Sequence, residues 1–114
     1  MTIQRTISPV DGSIYVERTL ASSVQIEAAL ESARLAQRAW RAVPISERAA
    51  ILGRFCDAFE SHGEAIAEEL SWQMGRPIRY SPSEVRGTLE RARHMIAIAP
   101  AALADIDVGP KSGF

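Results

Sequence analysis

A chain of 114 residues with 13 Lys and Arg against 14 Asp and Glu has a formal net charge of −1, so no bulk attraction to nucleic acid or to an anionic membrane is expected. Its 46% hydrophobic and 24% charged residues are the balance of a folded protein rather than a disordered one, and its length leaves no room for a second domain of ordinary size, about 100–150 residues. The longest apolar run falls far short of the ~20 residues of a membrane span, and the polar opening Thr2, Gln4, Arg5 is not that of a signal peptide.

Residues 2–19 read as a β-hairpin. Ile3, Thr6, Ile7, Ile14, Tyr15, Val16 and Thr19 supply β-branched and aromatic residues for two short strands. Ser8-Pro9-Val10-Asp11-Gly12 between them is turn chemistry, with Asp-Gly suited to positive φ. In the second strand Ile14 and Val16 alternate with Tyr15 and Glu17. A lone hairpin is marginal in water, so this one requires a surface to pack on.

A first helix is expected over 22–41. Ser22 stands three residues before Gln25, the capping-box spacing that satisfies two otherwise orphaned amides. Ile26, Leu30, Ala33 and Trp40 form its apolar face. After Pro44, Ser46 is placed as the cap of a second helix over 46–75, with Glu47 in the first turn where the helix dipole favours a negative charge. Leu52, Phe55, Cys56 and Phe59, continued by Ile66, Ala67, Leu70 and Met74, keep the helical period across His62-Gly63. That junction is expected to be a bend or part of one long helix, and Gly75-Arg76-Pro77 is the stop. Ser81-Pro82-Ser83-Glu84 reads as a second capping box opening a helix over 82–99, with Val85, Leu89, Ala92 and Ile96 in period and Pro100 as its end or kink. Residues 105–114, including Gly109-Pro110, read as an extended connector. The fold class is therefore mainly α with an N-terminal β-hairpin, and an architecture with no further strand is an unfinished layer.

Chemistry-bearing constellations are scarce. The sole cysteine, Cys56, excludes an internal disulfide and a cysteine metal centre, fits a reducing cytoplasm, and sits on an apolar helical stripe as a small hydrophobe. His62 and His94 lack the neighbours of a metal site. Glu64, Glu68 and Glu69 follow the solvated side of a helix rather than forming an acid–base pair. No Gly-x-Gly-x-x-Gly and no P-loop is present. Arg76, Arg79, Arg86, Arg91 and Arg93 are interleaved with Glu84 and Glu90, which predicts ion pairs such as Arg86–Glu90 and Glu90–Arg93. No catalytic, cofactor-binding or metal-ligating residue is assigned to this chain.

Four segments in order resemble the aldehyde dehydrogenase family. Ile7-Ser8-Pro9-Val10-Asp11-Gly12 is similar to its opening N-P-x-x-G hairpin, with Ser8 in the asparagine position. Ala28 to Trp40 resembles its A-x-x-A-F-x-x-W helix, with Leu35 and Ala36 leaving the aromatic slot unfilled, and Ile45 to Leu52 its x-x-x-R-x-x-x-L helix start. Gln73-Met74-Gly75-Arg76-Pro77 resembles its E-x-G-K-P turn, with Gln73 for glutamate and Arg76 for lysine. Gly109-Pro110-Lys111 follows in the family's order.

The resemblance implies the N-terminal part of an α/β dehydrogenase fold whose Rossmann-like sheet, catalytic cysteine and glutamate base all lie further along. It implies NAD(P)-dependent oxidation of an aldehyde to a carboxylic acid, by thiolate attack on the carbonyl, hydride transfer to nicotinamide and hydrolysis. NAD or NADP would belong to the full-length enzyme and neither would bind this chain alone. The remainder of the dehydrogenase domain is the expected partner, within a cytoplasmic homo-oligomer, with no nucleic acid and no membrane. Two other readings stay open: a free-standing helical protein-interaction module, and a small nucleic-acid binder using Arg79, Arg86 and Arg93.

Overall fold

In a computed structural model that describes residues 2–110, 112 and 113, the chain begins with two antiparallel strands, β1 (Ile3–Ile7) and β2 (Ile14–Thr19). The register runs from Ile3 opposite Thr19 to Ile7 opposite Ile14, with one irregularity between Thr6 and Ile7. The turn closes because the Ser8 amide donates to the Ser13 carbonyl at 2.8 Å, and the Gly12 amide donates back to the Ser8 carbonyl at 2.8 Å. Asp11 accepts from the Ser13 amide and hydroxyl at 3.0 and 2.7 Å. Those bonds, the amide's first, hold the Asp11 carboxyl below its ordinary pKa.

Four helices follow: α1 (Ser23–Trp40), α2 (Ile45–Ser61), α3 (Gly63–Met74) and α4 (Ser81–Ala102). The Ser22–Gln25 capping box forms reciprocally at the start of α1: Ser22 Oγ accepts from the Gln25 amide at 3.3 Å, and Gln25 Oε1 accepts from the Ser22 amide at 2.9 Å. No residue of α1 is buried, so local bonds carry more of its stability than packing does. Ser22→Ala is therefore expected to cost about 1 kcal/mol of helix stability; circular dichroism should report lost helicity, and unchanged helicity would show that α1 is held by something else.

The other two caps differ from the sequence expectation. Pro44 occupies the N-cap of α2 and Tyr80 that of α4, both without a side-chain capping bond. Ser46 therefore lies inside the first turn of α2. Ser81 opens α4 but turns inward: it is fully buried, with its Oγ 2.9 Å from Ser71 Oγ and 3.4 Å from the Arg76 and Pro77 carbonyls. A buried hydroxyl must find an acceptor, and here the end of the preceding helix and the turn after it supply one.

The expected helix over 46–75 is two helices. His62, at φ −100° and ψ 10°, terminates α2, and its Nδ1 lies 2.8 Å from the Ala58 carbonyl that the helix end leaves open. Gly63 then starts α3, and Gly75 at φ +71° closes it in the left-handed conformation. Pro100 does not stop α4, which runs to Ala102. Its missing N–H falls in the final turn, and the next closing bond, from the Leu103 amide to the Ala99 carbonyl at 3.0 Å, bypasses it. Of the connector, residues 111 and 114 lie outside the described residues, and 105–110 form no regular element.

The core sits where α4 crosses α2 and α3. It consists of Cys56, Ala67, Val85 and Leu89, flanked by Phe59, Ile66, Ala92 and Ile96. Val85 and Leu89 continue the i, i+4 row begun by Ser81, so one stripe of α4 makes this contact. At Gly63 helices α3 and α4 are in contact: a Cβ there would stand 3.4 Å from Val85 Cγ1, about the ordinary van der Waals distance. Arg93 on α4 reaches back to α2, pairing with Glu60 at 2.6 Å and Asp57 at 3.3 Å. Among the described residues the expected Arg86–Glu90 and Glu90–Arg93 pairs are absent, and Arg76 bonds Glu84 at 2.7 Å instead. The Arg93 hydrogen bond, then its charge, lowers the Glu60 pKa from its ordinary value.

This core is small for the chain it serves. The radius of gyration is 20.7 Å, where a compact domain of this length would have about 13 Å. The accessible surface is 9433 Å², against roughly 6,200 Å² for a folded monomer of this mass. Helix α1 and the outer face of the hairpin account for much of the excess: Val24, Ile26, Leu30 and Leu35, with Ile3, Ile7 and Ile14, are all exposed. Exposed apolar surface of this extent is characteristic of an interaction face.

Candidate functional site

Two places combine close side-chain approach with unusual chemistry, and both are built at helix ends or helix crossings. The first is the seat of the hairpin on α3. Ser8 is fully buried, and its Oγ donates to the Trp72 carbonyl at 2.8 Å while accepting from the Val10 amide at 3.2 Å. Tyr15 stacks on Trp72 with ring centroids 6.5 Å apart and planes 13° from parallel. Pro9 lies against Gly75 so closely that a Cβ there would stand 2.9 Å from Pro9 Cγ. Glycine at 75 is thus required twice, by its positive φ and by the proline ring.

The hairpin therefore docks through Tyr15, and the alternate apolar position, Ile14, is left at the surface. The neighbouring Glu69 carboxylate as hydrogen-bond acceptor, followed by burial and by the charges of Glu69 and Glu68, raises the Tyr15 pKa above the ordinary phenol value. Glu69 also bonds the Gln73 amide on the same helix. Glu69 thus bonds within the α3 surface, and Glu64, Glu68 and Glu69 are all exposed.

The second place is a groove of about 400 Å³ between α2 and α4, lined by Trp40, Leu52, Phe55, Met95, Ile96 and Leu103 among others. Cys56 lies at its base, 1% exposed and free of any disulfide. Phe55 and Phe59 pack at 5.8 Å between centroids, yet Phe55 is 59% exposed because the groove is open on that side. One polar group interrupts the apolar wall: Arg48, half-buried, whose Nε is shielded from solvent and has no hydrogen-bond partner.

The structure does not bring the other sequence candidates together. His62 caps α2, His94 is exposed on α4, and no group of three His, Cys, Asp or Glu side chains converges among the described residues. Arg76 and Arg79 both lie over the Tyr80 ring, at 5.5 and 4.6 Å, so the basic cluster is partly consumed by local contacts. The groove presents an apolar wall with one guanidinium. No described helix is long and apolar enough to cross a membrane.

The sequence places Ser8 in the turn but does not show its bond to Trp72, 64 residues further along the chain. The available signal was the paired turn chemistry of Ser8-Pro9 and Gly75-Arg76-Pro77. Arg48 was visible only as part of a helix-start pattern.

Comparison with known proteins converges on one family. The family model described as "Aldehyde dehydrogenase family" matches residues 2–110. A fluoroacetaldehyde dehydrogenase of Streptantibioticus cattleyicolor is 39% identical over 72 residues, 63% of this chain and 14% of that protein. A vanillin dehydrogenase of Corynebacterium glutamicum is 40% identical over 73 residues, 64% of this chain and 15% of that protein. The NAD-dependent benzaldehyde dehydrogenase structure from Corynebacterium glutamicum superposes on 98% of this chain with a TM-score of 0.85 and 29% identity, this chain covering 24% of it. The structure of PnpE in complex with nicotinamide adenine dinucleotide gives 0.87 and 27% over 98% of this chain and 23% of its own. This chain thus spans under a quarter of the solved relatives and about a seventh of the curated ones in its matched part. With the hairpin, the glycine-closed α3 and the four-helix order all matched over residues 2–110, the chain belongs to the aldehyde dehydrogenase family.

Proposed function

We propose that these residues are the N-terminal segment of an NAD(P)-dependent enzyme that oxidises an aldehyde to a carboxylic acid, and that they contribute structure rather than chemistry. The observation that carries this reading is one of proportion. The chain superposes over 98% of its length on 24% of a solved dehydrogenase, while exposing about half as much surface again as a folded monomer of its mass should. Faces that lack cover in this chain are faces that the rest of a dehydrogenase domain is suited to occupy. The principal partner on this reading is that remainder, in a cytoplasmic enzyme that assembles as a homo-oligomer. The dinucleotide belongs to the same remainder, where it accepts the hydride.

A purified sample of the 114-residue chain is expected to reduce neither NAD nor NADP in the presence of aromatic or aliphatic aldehydes, as read by the absorbance of reduced nicotinamide. Aldehyde-dependent reduction would overturn the assignment of a purely structural role. In the source cells, an antibody against the Ser46–Pro77 region is expected to find a polypeptide several times heavier than 12.5 kDa. A band at that mass alone would favour a self-standing interaction module instead.

A further inference from the structure

We infer that the N-terminal hairpin is a charge-sensitive latch, seated on α3 while the Tyr15 hydroxyl is neutral and released when that oxygen carries negative charge. Its seat is narrow. None of the residues of the buried core comes from β1 or β2, so the hairpin can leave without opening the crossing of α2, α3 and α4. Ser8 on the Trp72 carbonyl and Pro9 against Gly75 fix the turn, and Tyr15, half-buried and stacked on the Trp72 ring, fixes the strand.

The charges beside that ring are of one sign. Glu69 and Glu68 stand three and four residues before Trp72, so helical geometry places them one turn back along the face that Tyr15 covers. The neighbouring cations are already paired. Arg5 bonds Glu17, the next residue on the Tyr15 side of β2, at 2.5 Å, and Arg76, just past the end of α3, bonds Glu84 at 2.7 Å. A phenolate at this place would lose Glu69 as its acceptor and would face two carboxylates. Because seating raises the phenol's pKa, the seated state is favoured in full below the ordinary phenol value, about 10, and is lost as pH rises through the value that Tyr15 has when seated. Arginine keeps its charge over this range, and Lys111 is the only lysine in the sequence, so few other groups titrate alongside. Any group that puts negative charge on the same oxygen at neutral pH acts in the same sense.

The test uses the 114-residue chain with Trp40→Phe and Tyr80→Phe, which leaves Trp72 as the one indole and Tyr15 as the one phenol. As pH is raised from about 8 to about 12, phenolate absorbance and the wavelength of Trp72 emission are expected to change together, the emission moving to the red. Helicity by circular dichroism should stay constant. Glu68→Gln with Glu69→Gln removes both charges and keeps an acceptor at 69; there the phenol is expected to ionise at lower pH, with the emission shift at least halved. Tyr15→Phe keeps a ring over Trp72 and should hold its emission throughout. Ionisation of Tyr15 in the parent without an emission shift would overturn the latch, as would the same shift in the Tyr15→Phe chain. Helicity lost together with the shift would also overturn it, since the core would then open with the hairpin. A shift of full size in the glutamine pair would remove the carboxylates as its cause and the inference with them.

Discussion

Leu89→Ala is expected to destabilise the chain by about 2–5 kcal/mol, the range for truncating a buried leucine in a packed site. Leu89 is 5% exposed and one of four buried hydrophobic residues among the described residues, at the crossing of α4 with α2 and α3. A core this small has few neighbours able to collapse into the space, so the cost should fall in the upper part of the range. Urea denaturation followed by circular dichroism would measure it as a lower midpoint. A loss below about 1 kcal/mol would mean that the helix crossing is not the chain's stable centre. Val85→Ala, at a position 6% exposed, should act in the same direction with smaller size, since it removes fewer carbon atoms than the leucine truncation.

Gly75→Ala is expected to cost about 2 kcal/mol or more, through two additive causes. The left-handed conformation at φ +71° costs an L-residue roughly 1–2 kcal/mol, and the added methyl would stand 2.9 Å from Pro9 Cγ, forcing the hairpin off α3. Gly12→Ala provides the control: its φ of +76° is similar but nothing lies within 4 Å of the new Cβ, so only the backbone term remains. Trp72 emission should shift to the red in the Gly75 variant as Tyr15 leaves its face, and stay in place in the Gly12 variant. Equal behaviour of the two would show that the Pro9 contact does not hold the hairpin.

The features legible in the sequence were those whose physics is local. The Ser22–Gln25 box formed because both partners lie within one turn, and the period of Val85 and Leu89 located the buried stripe of α4 from spacing alone. Ser81 misled for the opposite reason: its spacing to Glu84 imitates a capping box, but the acceptors around its buried hydroxyl belong to Ser71 and to the turn after α3. At Pro100 the helix runs two residues further, to Ala102, before it ends. On the second helix, the stripe of Leu52, Phe55, Cys56 and Phe59 was read correctly as helical, yet it did not separate Cys56, which is inside, from Phe55, which faces an open groove. Periodicity gives the direction of a face and carries no information on what lies opposite it. The same limit hid Arg48, whose Nε is shielded from solvent and has no hydrogen-bond partner among the described residues.

The full exposure of α1 has a consequence for the order in which the protein matures. An 18-residue helix with no buried side chain stands close to the length at which helices in water only just persist. Its amides should therefore exchange with solvent deuterium almost as fast as those of an open peptide, while the amides of Val85 and Leu89 exchange only on global unfolding. During synthesis α1 would emerge well before α2–α4 and remain a fluctuating segment, becoming protected only on docking. Deuterium uptake along α1 is thus a clock for assembly, slowing when the apolar row from Ile26 to Trp40 is finally covered.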